Sequence, residues 1–220
     1  MPTPLVCLSH VAWSSGAAHP GRLMTRLARH RVVVVLERLA AHARLPLLGA
    51  ARAGDVTVLT PYLPAGIERE EEPRVLAPLL EALLESEGVL LPILWVCDAQ
   101  SLPVAARLRP TAVVYDCPWG LEYERDRSRA AAESAVLRAA NLVVVHDARD
   151  ATRLRDRHPL VHLVPDDASA RPSPAGADTT ARLLDDLLQT LVALRPRAVA
   201  ALVPVRASPP RGVVRSSSLP

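Results

Sequence analysis

Several side chains suited to binding or proton transfer each follow a short apolar run: His10, Trp13, Asp98, Asp116, Trp119, Glu122, His146 and Asp147. Imidazoles and carboxylates gathered at one place can exchange protons with a substrate, and they can hold a sugar by hydrogen bonds while an indole stacks on it. Asp116 is the candidate catalytic group, as a base or a hydrogen-bonding residue. His10, Trp13, Asp98 and His146 are the candidate ligand contacts. The competing reading is structural, because polar residues at strand ends often cap the helix that follows.

The elements that would position these residues are legible as six apolar runs, each stopped by a polar residue. Leu5–Leu8 ends at Ser9 and His10, Val32–Leu36 at Glu37, and Val56–Leu59 at Thr60. Leu90–Val96 stops short of Asp98, Ala112–Tyr115 at Asp116, and Leu142–Val145 at His146. Stretches of helical periodicity separate most of them. That alternation predicts an α/β domain, a Rossmann-like open parallel sheet with helices on both faces. The runs lack polar alternation, as strands covered on both sides do. Ligands of such sheets sit outside the carboxyl ends of the strands.

In detail, the pattern predicts strands over 4–9, 32–36, 55–60, 90–97, 111–116, 142–145 and 161–164. Pro20 opens the first helix. Residues 38–53 read as a short helix and a loop broken by Pro46 and Gly49, and the acidic stretch 61–72 reads as an exposed loop. Further helices are expected near 75–87, ended by Gly88, and over 101–108, 121–140 and 148–157, the last capped by Asp147. Residues 1–165 form one Rossmann-like domain and 166–178 a linker. A docking helix at 179–195 is capped by Asp178, and a disordered tail covers 196–220.

Composition narrows the function classes. The 220 residues are 50% apolar and 3% aromatic, with no Phe and a net charge of +3. The core must therefore be built from Leu, Val and Ala. The positive charges are all Arg, scattered among acids, and aromatics for base stacking are scarce, which argues against nucleic-acid binding. Cys7, Cys97 and Cys117 match no metal or CxxC spacing and read as reduced, buried thiols of a cytoplasmic protein. No stretch reads as a signal peptide or approaches the ~20 apolar residues of a membrane span. Peripheral membrane contact stays open. Ser14-Ser15-Gly16 lacks the spacing of a nucleotide-binding loop, and Asp166-Asp167 reads as a turn, so no metal site is expected.

The ordered segments carry a resemblance. Leu5-Val6-Cys7-Leu8-Ser9-His10, Trp13, and Pro20 followed by Leu23-Met24-Thr25-Arg26-Leu27 resemble the opening of bacterial group 1 glycosyltransferases of the GT-B fold. Those carry W-D-x-x-x-Q-R-P-Q-H-L there. Val56 through Pro64, Leu94-Trp95, Leu102-Pro103, Arg109-Pro110 leading into Val113-Val114-Tyr115-Asp116-Cys117, and Arg157-His158-Pro159 leading into Val161 through Pro165 follow in order. The resemblance spans about residues 4–166. It implies the N-terminal, acceptor-side domain of an enzyme that transfers sugar from a nucleotide-sugar donor to a cell-envelope or polysaccharide acceptor. His10, Trp13, Asp98 and His146 would then contact the acceptor. Two departures stand out: the family's polar cluster reads here as Ala18-His19-Pro20-Gly21-Arg22, and Pro118-Trp119-Gly120 replaces an acidic pair.

In the family, a second Rossmann-like domain holds the donor, and after residue 166 there is no room for one. Transfer requires both substrates aligned and positive groups or dipoles at the departing diphosphate. The chain alone is therefore expected to have weak or no activity. A nucleotide-sugar would be its only small-molecule requirement, and only if a partner chain or homo-oligomer supplied the donor half. The other readings are a non-catalytic binding or scaffold module for a glycan, lipid or protein partner, and a truncated, inactive remnant.

Overall fold

The computed structural model describes residues 2–13, 20–38, 41–68, 71–117, 127–164 and 174–194. Five strands follow the expected apolar runs: β1 (Leu5–Leu8), β2 (Val33–Leu36), β6 (Ile93–Val96), β7 (Ala112–Cys117) and β8 (Leu142–Val145). Every residue in these five is buried, as a sheet covered on both faces requires. Strand β5 (Val56–Leu63) continues the third run through Pro61, and β9 (Val161–Leu163) closes the series. The full sheet has nine strands: with β3 (Ala41–His42) and β4 (Leu47–Ala53), eight run in the order β3-β5-β2-β1-β6-β7-β8-β9, and β4 pairs with β5 off that path.

The ladders β5-β2-β1-β6-β7-β8-β9 are all parallel. Their carboxyl ends therefore share one edge, which is the arrangement on which the sequence reading of the site depends.

Alternate side chains feed two cores. On one face Leu5, Cys7, Val35, Trp95 and Val144 pack against α1 (Gly21–Leu27) and α5 (Pro174–Leu194). On the other, Val6, Leu8, Leu94, Tyr115 and Val143 meet α2 (Glu72–Ser86), a 3-10 helical stretch (Ala99–Arg107), α3 (Arg127–Ala139) and α4 (Ala148–Arg155). Helix α2 buries Leu76, Ala77, Leu80 and Leu84 at helical spacing. It ends where Gly88 takes a φ of +69°, a conformation that suits a residue without Cβ.

Helix α5 is tied to the domain by charge as well as by leucines. Arg31 has a fully buried side chain, and its guanidinium lies 2.5 Å from Oδ1 of Asp185. It also donates to the carbonyl oxygens of Thr3 and Asp185. Across the sheet, buried Glu133 on α3 accepts from Arg157 at 2.6 Å and from Arg153 on α4 at 3.4 Å, which fixes α4 beneath the β8 exit.

Three expectations are corrected. Among the described residues of 38–53 there is no helix: Ala41–His42 form β3, and Leu47–Ala53 form β4, antiparallel to β5. Their Ala and Leu residues favour helix locally, but the unpaired side of β5 offers a ladder, and tertiary pairing prevails. Pro61 does not end its strand. Helix α5 begins at Pro174, so Asp178 lies inside it and five residues of the expected linker are helical. The expected tail at 196–220 lies outside the described residues, as do Trp119, Glu122, Ser14 to Gly16 and Asp166-Asp167.

Candidate functional site

A line of polar atoms runs across five neighbouring strands just inside the carboxyl edge. Asp116, fully buried on β7, is its centre. Its Oδ2 accepts from the indole Nε1 of Trp95 on β6 at 2.8 Å and lies 3.8 Å from the Cys97 thiol. Its Oδ1 lies 2.6 Å from Nε2 of His146, just past β8. Nδ1 of that ring lies 2.8 Å from the carbonyl oxygen of Val164, just past β9. In the other direction, the Cys97 sulfur is 3.8 Å from that of Cys7 on β1.

The chemistry of this line follows from donor and acceptor roles. A carbonyl oxygen only accepts, so Nδ1 of His146 carries a proton. Nε2 is then occupied by the Asp116 carboxyl group, and neither ring nitrogen is left to take a proton from a substrate. Asp116 itself does not stand at a strand exit as the sequence suggests. It lies within β7, on the face shared with Val114, and its two oxygens already serve neighbouring side chains. The Asp116 carboxyl group fixes the orientation of the His146 ring, whose side chain keeps 14% of its surface open.

The loop after β1 is held by a residue the sequence reading leaves out of the site. Glu37, immediately after β2, accepts from the backbone N–H of Trp13 through Oε2 at 2.5 Å and from the Thr60 hydroxyl through Oε1. The backbone N–H of Arg38 donates to the Val11 carbonyl. These contacts draw the segment bearing His10 and Trp13 along the end of β2, beside Thr60 in β5. Trp13 rests half-buried against the core under α1 and α5. The signal for Glu37 was present: it stops an apolar run just as Asp116 and His146 do.

Other candidates have structural duties. Asp98 caps the 3-10 stretch, accepting from the backbone N–H of Gln100 at 3.0 Å. Asp147 caps α4 by accepting from the Asp150 N–H at 2.8 Å, and that backbone hydrogen bond holds its carboxyl below the ordinary range. His158, part of the quoted Arg-His-Pro segment, donates from Nε2 to the Ala140 carbonyl at 3.1 Å and takes the Leu160 N–H on Nδ1.

The three cysteines are free and buried. Desolvation raises the Cys97 thiol well above its usual range and pushes Cys117 up to about 11, where a thiol is a poor nucleophile. Among the described residues, no group of three or more His, Cys, Asp or Glu could hold a metal ion. No helix among them is long and apolar enough to cross a membrane.

No protein-family model matches the sequence, and no curated protein does. Solved structures do match. A short form of sucrose-phosphate synthase from Thermosynechococcus elongatus superposes with a TM-score of 0.58 at 18% identity, covering 86% of this chain and 98% of that one. A longer chain of the same enzyme gives a TM-score of 0.53 at 15% identity, with 74% of this chain covered and only 48% of that one. The fold is that of a GT-B half-domain. An α,α-trehalose-phosphate synthase (UDP-forming) from Burkholderia vietnamiensis is more distant, with a TM-score of 0.49, 14% identity, and 71% and 43% of the two chains covered. At these identities the likeness concerns backbone architecture. The half-domain thus spans about half of the longer sucrose-phosphate synthase chain.

Proposed function

We propose that this half-domain binds the sugar acceptor of a glycosyl transfer whose nucleotide-sugar donor is held by a second Rossmann-like domain, elsewhere in a longer protein or in a partner chain. The observation that carries the reading is the shared carboxyl edge of a GT-B-type sheet. There the His10–Trp13 segment, drawn in by Glu37, and His146, oriented by Asp116, lie at the ends of strands of one parallel sheet. In this reading Trp13 supplies an apolar surface for a sugar ring and His10 a polar contact, while Asp98, which caps the 3-10 stretch, and His146, whose ring nitrogens are both engaged, border the bound acceptor. The acceptor is a sugar hydroxyl, carried by a small sugar phosphate or by a cell-envelope or polysaccharide glycan. The names of the matched enzymes support the former, and the sequence resemblance supports the latter. The half-domain alone binds without turnover, because alignment with a donor and stabilisation of a departing diphosphate need the second domain. Reduced thiols and nucleotide-sugar chemistry both favour a cytoplasmic location.

The test is an NMR titration of the chain with hexose phosphates, neutral oligosaccharides and UDP in turn. Sugars should shift the signals of His10, Trp13, Asp98 and His146, and UDP should not. Silence at all four positions while others respond to sugars, or a response to UDP alone, overturns the reading.

A second reading, a non-catalytic glycan-binding module, is favoured by one observation. Asp116 is fully buried with both oxygens in use, so the described site holds no evident free base. Mixing the chain with a separately expressed donor half separates the two: transfer or sugar-nucleotide hydrolysis supports the first, and binding without either supports the second.

A further inference from the structure

Strands β3, β4 and β9 are each paired on one side only, and the longer ones are finished differently. Strand β9 has three residues and is bracketed in sequence by Pro159 and Pro165. Strand β4 has seven residues, Leu47–Ala53, with one charge and no proline. Natural edges are blunted by charge, proline, bulges or shortness, and β4 has little of this. Even its one charge is turned inward along its own hairpin, because the Arg52 guanidinium donates to the Thr57 hydroxyl at 2.9 Å. Leu47 beside this edge is 44% exposed.

Which backbone groups point outward follows from the ladder. The N–H of Glu37 donates to the Leu59 carbonyl, and the N–H of Ala43 to the Leu63 carbonyl. Odd-numbered residues of β5 thus face β2 and β3, and Val56, Val58, Thr60 and Tyr62 face β4. By register these pair with Ala53, Ala51, Gly49 and Leu47, the hydrogen-bonded pairs of an antiparallel ladder. Leu48, Ala50 and Arg52 therefore aim their N–H and C=O groups away from the domain. No strand among the described residues pairs with that side.

We propose that this edge pairs with the same edge of a second copy, antiparallel, about a two-fold axis through Ala50. The outward triplet is self-complementary in that register: Ala50 faces its counterpart, and Leu48 faces Arg52 of the other copy at both ends. All three are hydrogen-bonded pairs with two bonds each. Sliding by one residue sets outward groups against inward ones and forms none. Sliding by two leaves two full pairs, and one such slide brings Pro46, which has no N–H, opposite Arg52. Sliding until Arg52 meets itself opposes like charges. One register is therefore best, it is isologous, and it joins the two sheets into one.

The experiment measures the oligomeric state of the full chain by sedimentation over a concentration series, with amide hydrogen exchange at each concentration. The expected result is a dimer in which the Leu48, Ala50 and Arg52 amides become protected as concentration rises. Ala50→Pro, which removes one outward N–H, and Ala50→Glu, which sets two carboxylates face to face, should each weaken association at least tenfold. A chain that stays monomeric up to its solubility limit overturns the proposal. So does a dimer that both folded variants leave intact, or one without concentration-dependent protection of those three amides. If the variants fail to fold, the exchange data on the unaltered chain decide.

Discussion

Asp116 and His146 meet at 2.6 Å beneath the carboxyl edge, and the far nitrogen of the same ring meets the Val164 carbonyl at 2.8 Å. A single buried carboxylate thereby links β6, β7 and β8, and the imidazole extends the link to the end of β9. Removing one partner from such a buried pair leaves the other unsatisfied, which costs about 3–5 kcal/mol. Asp116→Ala should lower unfolding stability by that amount, and Asp116→Asn by less, since the amide oxygen can still accept from Trp95. Urea unfolding of the two variants and of a double-mutant cycle with His146→Ala measures this. A loss under about 1 kcal/mol for Asp116→Ala would remove the pair from any positioning role.

Glu37 makes a comparable link at the other end of the edge. Replacing it by Ala leaves the Trp13 N–H and the Thr60 hydroxyl without their carboxylate. The Trp13 amide should then exchange with solvent at least tenfold faster, and sugar binding should weaken with it. Glu37→Gln should recover part of both. Amide exchange by NMR gives the first readout and a sugar titration the second.

The Arg31–Asp185 pair predicts an asymmetry. Asp185→Ala leaves a guanidinium with no exposed surface and without its anion, at a cost of about 3–5 kcal/mol. Arg31→Met leaves a carboxylate that water can reach and fills the same space with an apolar chain, so it should be close to neutral. Limited proteolysis should free α5 in the first variant and not in the second.

Asp147 gives a pH dependence with a definite sign. Its folded-state carboxyl is held below its ordinary value by the Asp150 N–H. Its contribution is therefore present above the unfolded carboxylate range and is lost as the pH falls through the lower, folded value. Asp147→Asn keeps the cap without the charge. The stability difference between the two proteins should shrink on acidification below about pH 4. Asp147→Ala should cost about 1 kcal/mol at neutral pH. Asp150 works in the opposite direction, since burial raises its carboxyl, and comparing the two proteins at each pH removes most of its share.

The thiols should be silent. With all three thiols buried, Cys117 pushed up to about 11 by burial and Cys97 raised well above its usual range by desolvation, alkylation at pH 8 should label no cysteine in the folded chain and three after unfolding. Rapid labelling of native Cys7 or Cys97 would mean that the sheet opens along β1 and β6.

The strands were readable because a strand buried on both faces must be apolar throughout, and here each run ends where the backbone reaches polar surroundings. His146 and Glu37 sit at such ends. Asp116 does not: the carboxylate belongs to the strand itself, and nothing in the local pattern distinguishes a last buried position from a first exposed one. The indole of Trp95 offered a clue, since a buried N–H in an apolar run requires an acceptor. The β4–β5 hairpin was unreadable from Leu47 to Ala53, whose composition favours helix and whose strand state depends on β5. Pro61 misled for a related reason. Its missing N–H would point to the side where β2 has ended and β3 has only begun, so the ladder loses nothing there.

Strand β1 lies between β2 and β6, and its second neighbour begins at Ile93. A nascent chain must therefore hold β1 half-paired until Ile93, more than eighty residues further on, has emerged. The clasp of α5 through Arg31, between α1 and β2, is closed later still. Assembly of this molecule is governed by contacts distant in sequence, the kind that slow folding, and shortening the chain before Asp185 would leave the Arg31 charge stranded inside it.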